Sequence, residues 1–405
     1  MDESPQGVTG TATRPLAPPL PPAAPPRVWW WRAELRRAAP ALALFAAVRL
    51  TGVAMVAIWS VHLGRHPRNV LGLEWDGGWY WHIARYGYGT IVQSAPGTGR
   101  VYNDLAFFPL FPGLIHALST VLPIGPVNAA LVIAWVGAAV AAWGVYAVGE
   151  VLHGRRVGIA LVALWALLPH AVVLTMAYTE SLMTAFAAWA LYAALTNRWL
   201  TAGTLAALAG LCRPNGIAAA AAVVVAAAAY LWQRRRDGEP TVPRAWGAVL
   251  LAPAGWLGYV AWVGLRTHSP TGYFQVQSRW GSRFDFGHYT VFMLKHLVTG
   301  HDTLVVYLTA AIALGSVLLF LLGVLDRQPL ALLVYSALLI TMALGGAHYF
   351  TSRPRLLLPA FPLLIPLALA LARARLRTVA VLLAGLAGFS FFYGTYLLTV
   401  SRHSL

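Results

Sequence analysis

Long stretches of this chain carry no charge at all. Residues 126–149 (PVNAALVIAWVGAAVAAWGVYAVG), 303–325 and 378–400 contain no Asp, Glu, Lys or Arg. About 20 such residues in helical form cross the hydrocarbon core of a bilayer. Lipid offers no partner to a free backbone amide, so a stretch of this kind is restricted to a helix or a closed barrel. Runs this apolar, without strand alternation, predict an all-α polytopic membrane protein. Only 10% of the residues are charged and 59% are apolar, whereas a soluble domain carries about 25% charged residues. The net charge of +16 would suggest nucleic acid in a soluble protein. Here the basic residues lie between apolar runs and no basic soluble domain exists, so nucleic acid is excluded as a partner; orientation and anionic lipid or phosphate account for the charge. The single cysteine, Cys212, excludes an internal disulfide and any cysteine-based metal cluster. Lys295 is the single lysine among 29 basic residues, which together with the abundance of alanine points to a GC-rich bacterial genome.

The chain divides into residues 1–38 and 39–405. The first segment holds PLAPPLPPAAPP, which supports neither helix nor core, and is expected to be a disordered cytoplasmic tail. It ends in WWWRAELRR (29–37), an interfacial anchor rather than a signal peptide. In the second segment about eleven spans are expected, near 41–62, 126–150, 157–176, 181–196, 199–212, 216–232, 245–265, 303–325, 329–347, 356–372 and 378–400. Two large loops, 63–107 and 266–301, separate them. Residues 107–123 (FFPLFPGLIHALSTVLP) are too short and too proline-broken to span, and read as a helix at the interface. With the N-terminus cytoplasmic, every inner boundary carries arginine, for example Arg155, Arg156, Arg234, Arg235, Arg236, Arg373 and Arg375, as the positive-inside rule requires. All polar clusters capable of chemistry then fall on the extracytoplasmic side.

The chain is organised around residues 74–89, EWDGGWYWHIARYGYG. Trp and Tyr concentrate where membrane meets water, and a carboxylate there can meet a lipid-borne substrate without entering hydrocarbon. Asp76 is the candidate general base, although Asp-Gly is equally a turn former. Trp75 and Tyr80 join it as candidate substrate-binding residues. Residues 79–86 predict a short helix with Trp79, Ile83 and Tyr86 on one face toward the bilayer. Asp104 has two readings: a second acidic ligand for sugar or acceptor, or the cap of the helix beginning near Phe107. Glu180 lies at a helix start, where it would either complement the helix dipole or hydrogen-bond sugar hydroxyls beside Tyr178 as a stacking platform.

Arg213 interrupts an uncharged region in CRPNG. An arginine there needs a salt bridge or an anion, and with Asn215 at the following helix start it is a candidate phosphate ligand. Arg353 and Arg355 stand at the outer end of a span, where positive charge is disfavoured unless something anionic holds it. Arg49, inside the first span, needs an acidic partner or the same anion. Arg266, Arg279, Arg283 and Asp285 in the second loop are candidates for an acceptor groove. No Asp-x-Asp or histidine cluster calls for a metal.

These residues fall in ordered motifs: WDGGWYWHIARYGY (75–88), AFFPLFP (106–112), YTESL (178–182), RPNG (213–216) and the weaker RPRLLLPAFP (353–362). In them the chain resembles the PIG-V family of mannosyltransferases, in the polytopic GT-C class. Pro214 stands where family members more often have serine. The resemblance implies a GT-C-like fold and a mannose donor carried on polyprenyl phosphate. It implies an inverting transfer on the outer face of the plasma membrane, with the WD aspartate, here Asp76, as base. The acceptor, a glycan, lipid or protein, is left open, and no cofactor is implied. The competing classes are a multi-span transporter or lipid flippase, which would place its ionisable residues near the bilayer midplane, and a non-enzymatic membrane scaffold.

Overall fold

A computed structural model describes residues 30–90, 92–94 and 101–401. The proline-rich segment expected to be disordered lies outside the described residues. The chain divides into two units, residues 1–37 and 38–405. Within the first, the described residues are helical.

The elements in chain order are α1 (Trp30–His62), α2 (Pro67–Gly72), α3 (Asp76–Tyr86), β1 (Val92–Ser94), β2 (Val101–Asn103), α4 (Leu110–Val121), α5 (Pro126–His153), α6 (Arg155–Ala166) and α7 (Glu180–Leu195). There follow α8 (Trp199–Gly210), α9 (Ile217–Arg236), α10 (Pro243–Leu251), α11 (Ala254–Arg266), α12 (Gly272–Arg279) and α13 (His288–Thr299). The last are α14 (Leu304–Leu325), α15 (Leu330–Leu344), α16 (Arg353–Leu357), α17 (Ile365–Arg373) and α18 (Leu376–Thr399). β1 and β2 form an antiparallel hairpin in the first loop, pairing Val92 with Asn103.

Each long helix starts and stops where its sequence dictates. α5 begins on Pro126, whose missing amide costs nothing at a first turn, and stops at Gly154 with φ 86. α9 ends in Arg234, Arg235 and Arg236, which complement its C-terminal dipole. The interior of the bundle is built from small residues: Ala138, Ala141 and Ala142 of α5, Ala187 and Ala188 of α7, Ala202 and Ala206 of α8 and Ala219 and Ala222 of α9 are all buried. Small side chains let helices approach closely where lipid supplies no hydrophobic drive.

Among the described residues six helical segments are long and apolar enough to cross a membrane, or seven if one bent pair counts as a span. The protein is therefore a multi-pass membrane protein, but the expected count of about eleven is not reached. The expected spans near 181–196, 199–212 and 329–347 are helices of 16, 12 and 15 residues, and the one near 157–176 is α6 followed by a 3-10 turn at Ala171–Thr175. Hydropathy registers such pieces as spans because apolar composition does not report where a helix breaks. Residues 350–357 and 361–373 form the bent pair, turned by 79°.

The first large loop is mostly structured. α3 covers the expected 79–86 helix, but its apolar face turns inward. Ile83 is 5% exposed, and Trp79 stacks on Phe107 at 5.5 Å and meets Trp280 edge-on at 5.1 Å. Only Tyr86 stays exposed. Ring partners from elsewhere in the chain, invisible to helical periodicity, take the place given to lipid. α4 forms where an interfacial helix was expected.

The break between α8 and α9 depends on Gly216. A Cβ there would lie 2.1 Å from the Ala209 carbonyl oxygen, with no flexible side chain to yield. Gly216→Ala should therefore lower stability by at least about 2 kcal/mol, read as a fall in the thermal unfolding midpoint of the purified protein.

Candidate functional site

The site grows from the junction of α2 and α3. Trp75, which precedes α3, has φ 47 and ψ −114, a region that costs a bulky residue about 1–3 kcal/mol. Gly77 permits the close approach behind it: a Cβ there would lie 2.6 Å from the Gly72 carbonyl oxygen. The turn is laced to residues 177–180. The Ala177 amide donates to the Leu71 carbonyl at 2.9 Å, the Asp76 amide reaches the Tyr178 hydroxyl at 3.4 Å, and the Tyr80 hydroxyl lies 3.3 Å from Thr179 Oγ1. Burial, reinforced by the Asp76 carboxylate, pushes the Tyr80 phenol above its ordinary range, so it stays protonated.

Asp76 is held by an arginine from far along the chain. Arg355 sits on α16, the short half of the bent pair, and its Nη2 lies 2.9 Å from Asp76 Oδ2. Its Nε lies 3.1 Å from Glu180 Oε1, and the same oxygen pairs with Arg213. The contacts to Glu180 are ion pairs rather than well-aligned hydrogen bonds. The result is an alternating row, Asp76–Arg355–Glu180–Arg213, with formal charges that cancel. Glu180 is 1% exposed. The Arg355 guanidinium lies over the Tyr178 ring, 5.1 Å from its centroid.

Both ends of this row, Asp76 and Arg213, open on a cavity of about 480 Å³, within the range of small-molecule sites. Of the sequence-derived candidates, Trp75, Asp76, Tyr80, Arg213, Asn215, Arg353 and Arg355 line it. No described donor reaches Asp76 Oδ1. Asn215 is 4% exposed, and neither its amide oxygen nor its nitrogen has a partner. A buried amide without a protein partner in a cavity wall has donors and an acceptor that a water or a ligand can meet. Among the described residues no cluster of His, Cys, Asp and Glu has metal-ligand geometry.

Three expectations change. Tyr178 is fully buried beneath Arg355, so it stacks on a guanidinium and offers no face to a sugar. Glu180 does begin α7, but it sits behind the cavity wall and binds two arginines instead of hydroxyls. Asp104 neither lines the cavity nor caps a helix. Its Oδ2 accepts from the Gly89 amide at 2.7 Å, and Asn103 takes the capping role, accepting from the Leu105 amide at 2.8 Å. A tight turn at Gly89 brought an unfilled amide closer to Asp104 than the helix start.

Arg353 lines the cavity but is already engaged. It donates to Thr290 Oγ1 at 2.6 Å and to the Gly346 carbonyl at 2.9 Å, and lies over the Phe350 ring. Arg266 donates to the Tyr88 carbonyl at 3.2 Å, and Asp285 caps α13 through the Gly287 and Tyr289 amides. Both therefore brace the loops.

The second loop supplies what sequence reading missed. Trp280 packs against Trp79, Phe107 and Tyr102, and its indole donates to the Asn103 carbonyl at 3.0 Å. Gln277 donates to the Ala106 carbonyl. Next to Trp280, whose carbonyl accepts from the Tyr349 hydroxyl at 2.5 Å, His348 (φ 61) and Tyr349 (φ 43) are two successive non-glycine residues in the left-handed region, both lining the cavity. A tryptophan in a polar loop was the one available signal.

The overall arrangement has a known counterpart. The chain shares its fold with ArnT. The crystal structure of ArnT from Cupriavidus metallidurans bound to undecaprenyl phosphate aligns with a TM-score of 0.51 and 16% identity, covering 85% of this chain and 62% of that one. The apo state gives a TM-score of 0.51 and 16% identity over 86% and 62%. This chain thus spans less than two thirds of the ArnT length. The archaeal oligosaccharyltransferase AglB from Archaeoglobus fulgidus aligns at 0.48 with 13% identity, over 89% and 56%. In sequence, no family model and no curated protein matches.

Because Glu180 is buried between two arginines, neutralising it leaves excess positive charge in the wall. Glu180→Gln should cost about 3–5 kcal/mol of stability. The double variant Glu180→Gln/Arg213→Gln should lose less than the sum of the two single losses, by roughly 0.5–3 kcal/mol in a double-mutant cycle.

Proposed function

We propose that this protein is an inverting GT-C glycosyltransferase that moves a sugar from a polyprenyl phosphate to an acceptor hydroxyl on the extracytoplasmic face of the plasma membrane. Mannose as the sugar rests on the PIG-V-like motifs. The observation that carries the reading is the shared cavity: a carboxylate with one oxygen fixed by Arg355, and in the same wall a guanidinium and an unsatisfied amide. The fold it shares with ArnT, solved with undecaprenyl phosphate, is compatible with a lipid phosphate in that cavity.

The chemistry follows from these groups. The acceptor hydroxyl donates its proton to Asp76 Oδ1 while its oxygen attacks the anomeric carbon. The bond from that carbon to the phosphate oxygen breaks on the opposite face, and its electron pair leaves with the lipid phosphate. Arg355 holds the carboxylate in one orientation and removes part of the entropic cost of attack. Arg213 and the Asn215 amide meet the charge that grows on the leaving phosphate. Arg353, tied to Thr290 and Gly346, keeps the wall in shape. Arginine can supply the positive charge a monophosphate needs, so the scheme calls for no divalent metal. This chemistry specifies the acceptor's hydroxyl and fits a glycan, a lipid or a protein.

Asp76→Asn keeps the shape but cannot usefully take the proton. Turnover with labelled polyprenyl-phosphate-mannose in membranes should fall roughly 10²- to 10⁴-fold, with near-normal expression and donor binding. A variant working at the wild-type rate would remove Asp76 from the mechanism and favour a transporter or flippase. The arginine asymmetry further predicts residue 301 outside and residue 237 inside. Cysteines introduced there should label from outside in intact cells at 301 and not at 237.

A further inference from the structure

Away from the cavity, α1 carries an arginine that nothing in the mechanism uses. Arg49 is 2% exposed. It lies 13 residues, about 20 Å of helix, before the end of α1, deep in a helix long and apolar enough to cross a membrane. The sequence calls for an acidic partner or an anion beside it, yet no described Asp or Glu forms an ion pair with it, and its Nε meets no hydrogen-bond acceptor. It lines a second, small cavity of about 10 Å³ with Thr175 of the 3-10 turn and with Ser390 and Thr395 of α18.

The hydroxyls around this cavity are not equivalent. Thr175 donates to the Val172 carbonyl at 2.6 Å and Ser390 to the Leu168 carbonyl at 3.0 Å, so both have spent their protons. Thr395 Oγ1 is buried and without a partner. Arg49 and the Thr395 hydroxyl therefore share a cavity whose other polar atoms, Thr175 Oγ1 and Ser390 Oγ, are neutral acceptors, and no described carboxylate balances the guanidinium.

A guanidinium cannot shed its charge as lysine can, and burial without a counter-charge is costly. Water filling the cavity would satisfy hydrogen bonds but leave the charge. The volume admits about one water-sized centre, which excludes a phosphate or a lipid headgroup. We propose that Arg49 and Thr395 bind a single monovalent anion of halide size, clamped between α1, the 171–175 turn and α18. That turn runs directly into Tyr178 and Glu180, so the ion would brace the segment supporting the row of charges. The proposal does not depend on the reaction assigned to the large cavity.

The test is thermal unfolding of the full-length protein in lipid nanodiscs, with chloride replaced by gluconate at constant ionic strength. Chloride should raise the midpoint, by about 2 °C for each tenfold increase above its dissociation constant. Bromide should do the same and give an anomalous peak beside the guanidinium in a crystal. Arg49→Gln should abolish the dependence and Thr395→Val should weaken it. If Arg49→Gln does not fold, the wild-type titration and the bromide peak decide alone. Equal midpoints in chloride and gluconate without a bromide peak would mean water only and overturn the proposal. So would a halide effect that survives intact in a folded Arg49→Gln protein.

Discussion

Arg355 between Asp76 and Glu180 is the contact on which the rest depends. Its partners come from α3 and α7, and Arg355 itself from α16, so three distant parts of the chain meet in one pair of ion pairs. Arg213 extends the row from the break before α9. Removing charges from water is costly, and an alternating row in which each charge touches its opposite is one of the few arrangements that tolerates it. Every break in helical regularity nearby serves the row. Arg355 stands just before the 79° bend that follows residue 357, and the positive φ of Trp75 precedes the start of α3 at Asp76. The RPNG interruption leaves Arg213 and Asn215 in the cavity wall.

This arrangement gives the two carboxylates different environments. Glu180 has its charge taken up by two guanidinium groups and is closed off from the cavity. Asp76 is fixed through Oδ2, with the rest of the group at the cavity surface. Two acids of similar chemistry thus differ by environment: one is enclosed by arginines, and the other keeps an oxygen at the cavity surface, as the proposed base requires. The aromatic wall of Trp79, Phe107, Tyr102 and Trp280 gives the opposite side an apolar, shape-defining surface. It joins the two large loops into one rim.

Much of this was legible in the sequence, for physical reasons that can be named. A carboxylate in an aromatic belt, an arginine in an uncharged region and arginines at the wrong end of a span are each costly in isolation, and cost marks function. That logic brought Asp76, Arg213, Asn215 and Arg355 to one cavity. It could not say how the charges are paired, because pairing is set by tertiary approach. Glu180 and Tyr178 looked like sugar ligands for that reason, and Asp104 looked like a cap although Asn103 beside it does the capping. The span count turns on the same point: α7, α8 and α15 are apolar like the long spans but shorter than the length that marks a crossing. Trp280 carried no motif, and Arg49 was seen to need a partner that the described residues do not provide.

The most direct test is an experimental structure of the protein in nanodiscs with a polyprenyl phosphate bound. The account predicts the phosphate in the 480 Å³ cavity, in contact with the Arg213 guanidinium and the Asn215 amide. Asp76 should still be paired to Arg355, with its free oxygen turned to the space where a sugar would sit. A phosphate bound outside that cavity, or an Asp76 carboxylate swung away from both Arg355 and the ligand, would contradict it.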